Sequence, residues 1–169
     1  MNKDAIDYVE QQAAKNIGYH DQCGDCLTEE ANKVLSLLGL LIPGALAGAV
    51  KLFEMQLGSP RPAGTLVLAL ATGLLACYLA VLAAYVTLAC LRAGDAQPPT
   101  NQPMPLIEAL QRSPLEAVRH GELMNLDARI ESAAARNRRR GKHLNRVRLL
   151  FCATPLAYLL FWVLALFLV

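Results

Sequence analysis

Three long stretches of the chain contain only apolar and small uncharged residues, and polar residues fill the segments between them. Each stretch approaches or exceeds the roughly 20 residues that a helix needs to cross about 30 Å of hydrocarbon. A membrane β-barrel would instead require many strands of alternating polarity, which these stretches lack. The pattern therefore predicts an all-α integral membrane protein with three transmembrane helices. The stretches are Val34–Val50, Leu66–Leu91 and Leu149–Val169.

A second pattern, in which mostly apolar residues recur at alternating steps of three and four, leads into the third stretch. Ser113, Pro114 and Glu116 form a typical helix start, with a capping hydroxyl, a proline and an early acid. The seam that follows runs directly into the third stretch, so we predict a long cytoplasmic helix continuous with the third span. The seam consists of Leu123, Leu126, Ile130, Ala133, Asn137, Arg140, Leu144, Val147 and Phe151.

Two positions of this seam are polar, Asn137 and Arg140. A polar residue in a coiled-coil seam can determine the register and the number of strands, at some expense of stability. We therefore assign a register role to Asn137. The alternative interpretation of the whole pattern is a solvated helix face.

The polar segments divide the chain into four regions. An apolar stripe predicts a short amphipathic helix over residues 3–17, which Gly18 ends, and a polar turn over residues 19–26 follows. The stripe consists of Ile6, Val9, Ala13 and Ile17. A proline-rich linker is expected over residues 93–105. The regions are a cytoplasmic helix and cysteine-containing turn (1–33), a transmembrane hairpin (34–91, with spans at about 34–52 and 65–91), a linker and long basic helix (92–148) and the third span (149–169).

Basic residues are distributed unevenly around the predicted spans. Of the 16 Lys and Arg residues, three precede the first span, two belong to the loop after it and eleven lie between Arg92 and Arg148. Because cytoplasmic loops are enriched in Lys and Arg, we expect the amino terminus and the long loop on the cytoplasmic side of a bacterial inner membrane. The carboxyl terminus and the connection over residues 52–64 are then periplasmic. The net charge of +2 conceals this local polarity.

A dense basic run lies just before the third span. Anionic lipid headgroups attract juxtamembrane clusters of this kind, so lipid contact is the leading interpretation, with an anionic small ligand or an acidic partner as alternatives. No stacking aromatic residue lies between Leu106 and Leu150, which argues against nucleic acid as a partner. The run includes Arg136, Arg138, Arg139, Arg140 and Lys142.

The predicted spans contain no acid, base or histidine at depth, so they lack the groups on which proton pumps and ion-coupled transporters depend. They contain small residues instead, at which helices can approach closely. Packing within one chain is one interpretation and packing between copies is the other. Three spans alone cannot enclose a pore, so conduction would require a homo-oligomer. The candidate packing residues are Gly44, Gly48, Gly73, Ala76 and Ala80.

His20, Cys23 and Cys26 follow one another at three-residue steps, a spacing that can bring an imidazole and two thiolates to one zinc ion. A fourth ligand would have to come from His120, His143 or another subunit. A redox cysteine pair and a plain turn with free thiols are the alternatives. No other cofactor is expected. The chain has neither a phosphate-binding loop nor an identifiable nucleophile with its base, so we expect that it is not an enzyme.

The order of these parts resembles the small bacterial membrane effectors of nucleotide-signalled antiphage systems, including the Pycsar membrane effectors and the SLATT group. The resemblance rests on Glu29–Lys33 running into the first span, on a second span after a short loop, and on the helix Leu123–Arg148 with Asn137 before a further apolar segment. It implies a dormant membrane protein that breaches the bilayer when its cytoplasmic part senses infection. No folded ligand domain is recognisable, so a protein partner is an alternative to a nucleotide signal.

The leading hypothesis from the sequence is an oligomeric membrane effector that permeabilises the inner membrane on a cytoplasmic signal. The competing hypothesis is a non-conducting scaffold or accessory subunit that anchors a partner complex at the membrane. A third is a membrane protein regulated by zinc or by thiol oxidation.

Overall fold

Every secondary-structure element in the described part of the protein is a helix. A computed structural model describes residues 3–58, 63–92 and 103–167. The elements are α1 over Lys3–Gly58, α2 over Ala63–Val86 with a π-helical turn at Thr87–Leu91, α3 over Pro103–Arg112 and α4 over Leu115–Phe167. Three of them, α1, α2 with its π-helical turn, and α4, are long and apolar enough to span a membrane, consistent with a membrane protein.

α1 is a single helix of 56 residues, which corrects two predictions. We expected Gly18 to end a short helix and residues 19–26 to form a turn, but the helix continues through both. A glycine inside a helix costs only about 0.5–1 kcal/mol relative to alanine, and tertiary packing outweighs a penalty of this size. Ile17, His20 and Gly24 are all partly buried, so this stretch of α1 has neighbours that stabilise it as a helix.

α3 begins inside the segment that we expected to be an irregular linker. Pro103 and Pro105 lie in its first turn, where backbone N–H groups have no helical acceptor, so the prolines remove no hydrogen bond. The expectation that proline excludes regular helix is therefore wrong for residues 103–105. Residues 93–102 of the predicted linker and residues 59–62 of the predicted periplasmic connection lie outside the described residues.

α4 begins at Leu115, as the capping pattern around Pro114 predicts. The backbone N–H groups of Ala117 and Val118 donate to the Pro114 carbonyl at 2.9 and 3.2 Å, which gives the first donors of the helix a partner. The helix then continues to Phe167 and includes Pro155. The prediction of one long helix that includes the third apolar stretch is confirmed.

The described helices belong to two units. The polar unit comprises Met1–Leu27 and Ala93–Arg140, and the apolar unit comprises Thr28–Arg92 and Gly141–Val169. Both α1 and α4 contribute to each unit, whereas α2 belongs to the apolar unit and α3 to the polar unit. All three predicted spans therefore fall in the apolar unit.

The core of the apolar unit is a cluster of leucines. Leu38 of α1 lies against Leu79 and Leu82 of α2, and all three side chains are buried. Phe151 brings α4 into the same cluster. In a bilayer, van der Waals packing of this kind holds helices together, because the lipid is as apolar as the side chains. The other partly buried members are Val34, Ile42, Leu75 and Ala83.

A hydroxyl pair also connects α2 with α4 in the apolar unit. The Thr72 hydroxyl donates to the Leu68 carbonyl of its own helix at 2.7 Å. Because that proton is in use, Tyr158 must be the donor in the 3.0 Å hydrogen bond between the Tyr158 and Thr72 hydroxyls. Thr72 is buried, so the Tyr158 hydroxyl reaches a group that is shielded by the protein.

Two further tyrosines reach from α2 to α4. The Tyr78 hydroxyl donates to the Leu150 carbonyl at 3.3 Å, and the Tyr85 hydroxyl lies 2.6 Å from Nδ1 of His143. Tyrosine hydroxyls thus form a ladder of three contacts between α2 and α4. The sequence showed these tyrosines only as apolar or interfacial side chains, because their partners are distant along the chain.

The Tyr158→Phe substitution removes one hydroxyl from the ladder and retains the ring. We expect the free energy of unfolding in detergent to fall by about 0.6 kcal/mol and by no more than about 1.7 kcal/mol, the range for hydrogen bonds between membrane helices. Thermal unfolding followed by circular dichroism measures the change. Tyr78→Phe is the matched control. It should have a smaller effect, because the hydrogen bond from the Tyr78 hydroxyl to the Leu150 carbonyl is longer, at 3.3 Å. A larger effect of Tyr78→Phe would contradict the ranking.

Candidate functional site

The contact between α1 and α4 in the polar unit contains a buried asparagine. The Asn137 side-chain amide donates to the backbone carbonyl of His20 at 2.6 Å. A Cβ atom on Gly24 would lie 3.4 Å from the Asn137 Oδ1 atom, so Gly24 leaves just enough room for the amide. Asn137 thus has a specific partner on α1. This contact is a structural basis for the register role, which stays a prediction.

The predicted seam of α4 faces inward in both units. In the polar unit Ala133 and Asn137 are buried, and in the apolar unit Leu144 and Val147 are buried. Every other seam position is partly buried. The alternative interpretation of a solvated helix face is therefore wrong.

An arginine clamp joins α4 to the first turns of α1 in the polar unit. The guanidinium of Arg119 donates from Nε and Nη2 to the two carboxylate oxygens of Glu10, each at 2.7 Å. Nη2 also contacts the Asp7 carboxylate. This bidentate geometry is the strongest arrangement available to an arginine and a carboxylate. The hydrogen bonds from Arg119 lower the pKa of Glu10, and the two carboxylates raise the pKa of the guanidinium.

The apolar stripe predicted for α1 did not indicate this clamp, because one of its positions is misplaced. We predicted Val9 on the inward stripe of α1, but Val9 is exposed and Glu10 is partly buried. Ile6 is buried, as predicted. Steps of four and three residues from Ile6 reach Glu10 and then Ala13, so the spacing allowed either position. An acid at an inward position was the signal that could have pointed to a basic partner.

The predicted metal ligands lie on successive turns of α1 rather than in a loop. Cys23 is partly buried, Cys26 is exposed, and the backbone carbonyl of His20 accepts from Asn137. A hydrogen bond with Cys23 raises the pKa of Tyr19. Within residues 3–58, 63–92 and 103–167, no three His, Cys, Asp or Glu side chains are placed to hold a metal ion. The zinc site thus remains a prediction.

The two histidines considered as a fourth ligand have other surroundings. His143 is engaged with the Tyr85 hydroxyl at 2.6 Å, and His120 is exposed on α4. Any zinc bound at residues 20–26 would have to draw at least one ligand from solvent or from a partner molecule.

The predicted packing residues do not share one environment. Gly48 packs inside the apolar unit, since a Cβ there would lie 3.7 Å from the Thr72 methyl, while Gly44 is exposed and open. On α2, Ala76 is buried, Gly73 is partly buried and Ala80 is exposed. The buried side of α2 consists instead of Gly64, Ala69, Ala71, Thr72, Ala76, Leu79, Leu82 and Val86. The buried side of α2 thus combines small residues with the two leucines that pack on Leu38.

The basic run divides between two sides of α4. Arg136 and Arg140 are partly buried, whereas Arg138, Arg139 and Lys142 are exposed. The exposed members can contact anionic headgroups, and this lipid contact remains a prediction.

A charge network lies beside the first predicted span in the apolar unit. Glu30 accepts from Lys33 at 3.0 Å and also contacts Arg148, and Lys33 reaches Glu29 at 2.9 Å. The two basic partners lower the pKa of Glu30, with Lys33 as the larger influence. These groups are exposed, so the network contributes little to stability and mainly places charge next to the apolar stretch.

Each unit also has a groove on its surface. In the apolar unit a groove of about 420 Å³ lies beside Gly44, Thr72, Thr154 and Tyr158. In the polar unit a groove of about 290 Å³ lies beside α4, with the Glu10–Arg119 pair at its edge. These grooves and the contacts described above are the candidate binding features of the protein.

No protein-family model matches the chain, and no curated protein or solved structure matches it.

The arginine clamp should depend on pH. Because the folded-state pKa of Glu10 lies below the usual 4.5, its carboxylate stabilises the contact above that pH, and the contribution is lost as the pH falls through the lowered value. We expect hydrogen-exchange protection factors of residues 3–17 to fall at acidic pH. Glu10→Gln should remove this step and give low protection at neutral pH. An unchanged acid step in Glu10→Gln would assign it to another group.

The zinc hypothesis is tested by metal analysis of the protein purified without chelator. A site formed by His20, Cys23 and Cys26 predicts about one zinc per chain, lost in Cys23→Ser and Cys26→Ser. Cys152→Ser is the control, because this exposed cysteine lies in the third apolar stretch. Equal zinc content in all four proteins would exclude these cysteines as ligands.

Proposed function

We propose that the chain is the membrane subunit of an oligomeric bacterial effector, which permeabilises or disrupts the inner membrane on a cytoplasmic signal in antiphage defence. Its amino terminus is cytoplasmic and its carboxyl terminus periplasmic, in accord with the distribution of Lys and Arg. The observation that carries the proposal is the uncovered outer surface of α1 and α4 in the apolar unit.

The three apolar helices are covered to different extents. The most apolar window of α2 is 33% buried, while the corresponding windows of α1 and α4 are 11% and 6% buried. α2 is therefore the best covered of the three. The outer sides of α1 and α4 are available to lipid or to another copy of the chain.

Gly44 is the position on α1 at which we expect another helix to approach most closely. A Cβ atom there would meet nothing within 4 Å, so the backbone of α1 is open to close approach by another helix. The groove beside it is lined by Thr72, Thr154 and Tyr158, among other residues. Because three spans cannot enclose a pore, copies that meet at this surface would have to close into a ring through heterologous contacts.

The chemistry of the spans supports permeabilisation over coupled transport. The stretches Val34–Val50, Leu66–Leu91 and Leu149–Val169 contain no charged residue. A coupled transporter needs such residues to bind its ion or proton, whereas a membrane-disrupting assembly needs only helices that associate.

A second candidate function is a non-conducting scaffold that holds a partner at the membrane. The groove of the polar unit favours it, because exposed apolar surface with a polar rim is typical of a protein interaction site. The two functions differ in whether the membrane potential changes.

Induced expression in a bacterial host, with phage infection to supply the cytoplasmic signal, should collapse the membrane potential, measured with a voltage-sensitive dye. Gly44→Leu should abolish the collapse and the cross-linked oligomers seen in membranes, because it fills the open side of α1. Gly44→Ala, which adds one methyl group, should retain both. Gly48→Leu should instead lower the thermal stability of the protein, since Gly48 packs near Thr72 inside the chain.

The comparison separates assembly from folding. A wild-type protein that stays monomeric in bilayers and leaves the potential unchanged at full expression during phage infection would exclude the effector function. A partner that copurifies at fixed stoichiometry in mild detergent, without toxicity, would support the scaffold.

A further inference from the structure

The groove of the polar unit has an apolar floor formed by α3 and α4. Three of its apolar residues, Leu106, Leu110 and Leu115, come from α3 or the first position of α4. The others lie further along α4 and are Val118, Leu123 and Leu126. Leu110 and Leu115 are exposed, and so is the neighbouring Ile107 of α3. Exposed apolar surface that continues from a groove onto its rim indicates a site for another molecule.

Two charged side chains line the same groove without partners. Glu122 and Arg129 are both partly buried, and neither has an ion pair or a hydrogen bond within the part of the chain that the structure describes. The Glu10–Arg119 pair at the edge is already satisfied. An occupant with a positive group near Glu122 and a negative group near Arg129 would complement both charges of the groove.

The lining of the groove extends along α4 for the length of a short helix. Leu115 and Arg129 are fourteen positions apart, which corresponds to about 21 Å along α4, or roughly four turns. Glu122 and Arg129 are seven positions apart, so they lie on one side of α4 about 10.5 Å from each other. A fatty acid or an anionic phospholipid could neutralise Arg129 but would leave Glu122 unpaired. An amphipathic helix can carry both charges on either side of an apolar stripe.

We propose that this groove is the docking site for an amphipathic helix of a partner protein, with one basic and one acidic residue about seven positions apart beside its apolar stripe. The apolar stripe packs on Leu123 and Leu126, the basic residue pairs with Glu122 and the acidic residue pairs with Arg129. Desolvation by the docked helix strengthens both pairs and makes them selective for a partner with both charges. The proposal does not depend on the effector function, since a scaffold would use the same site.

The test uses the full chain in lipid nanodiscs and fluorescein-labelled 18-residue helical peptides as probes. One peptide has a leucine stripe with a lysine and a glutamate seven positions apart, the second has two lysines and the third has two glutamates. We expect fluorescence anisotropy to show the lysine–glutamate peptide binding about tenfold more tightly than either of the others. Empty nanodiscs measure binding to lipid. Equal affinities for all three peptides would overturn the assignment of the charged pair.

Reversing one charge of the groove should change which peptide binds most tightly, and a purely apolar patch would not show this change. Glu122→Lys should shift the preference to the two-glutamate peptide, and Arg129→Glu should shift it to the two-lysine peptide. Both residues are only partly buried, so the helix is expected to tolerate these changes. Preferences that stay unchanged in both variants would contradict the proposal.

A matched pair on α4 tests the location of the site. Leu115 lines the groove and is 60% exposed, while Met124 is 61% exposed and is not part of the groove lining. Leu115→Glu should weaken binding of the lysine–glutamate peptide by about tenfold or more, and Met124→Glu should leave it unchanged. Equal effects of the two substitutions would place the peptide elsewhere on the protein.

Discussion

Polar groups inside hydrocarbon have no water to bind, and the hydroxyls of the apolar unit are placed in accord with this constraint. Thr72, Thr87 and Thr154 each donate their hydroxyl to the carbonyl four residues earlier in their own helix. With these hydroxyls satisfied locally, tyrosines are left to connect one helix to another, as Tyr158 does with Thr72. Leucine packing around Leu38 then supplies the shape-dependent contacts that lipid does not replace.

The polar unit is stabilised in a different way. Within its described residues, Ile6, Ala133 and Asn137 are the buried side chains, so its helices bury little apolar surface. The Arg119 clamp and the Asn137 amide supply specific contacts, but water competes for each of them. A region with few buried apolar contacts has a low free energy of local opening. This property suits a segment that responds to a signal or a partner.

The two candidate functions use different surfaces of the protein. Association of copies would use the open backbone at Gly44, whereas docking of a partner would use the groove that contains Glu122 and Arg129. The small-residue pair Gly44 and Gly48 therefore lies in two environments. Gly48 packs near Thr72 inside the chain, and Gly44 is open. A sequence motif that joins two such residues cannot separate these environments.

The sequence alone determined the helical class, the three apolar stretches and the inward seam of α4, because hydrophobic periodicity and the needs of a bilayer act locally along the chain. It did not determine that α1 continues through Gly18, since local helix propensity is weaker than packing. Nor could it assign Glu10 to Arg119 or Tyr158 to Thr72. Those partners lie far apart in the sequence, and only the tertiary structure decided which side chains of two helices meet.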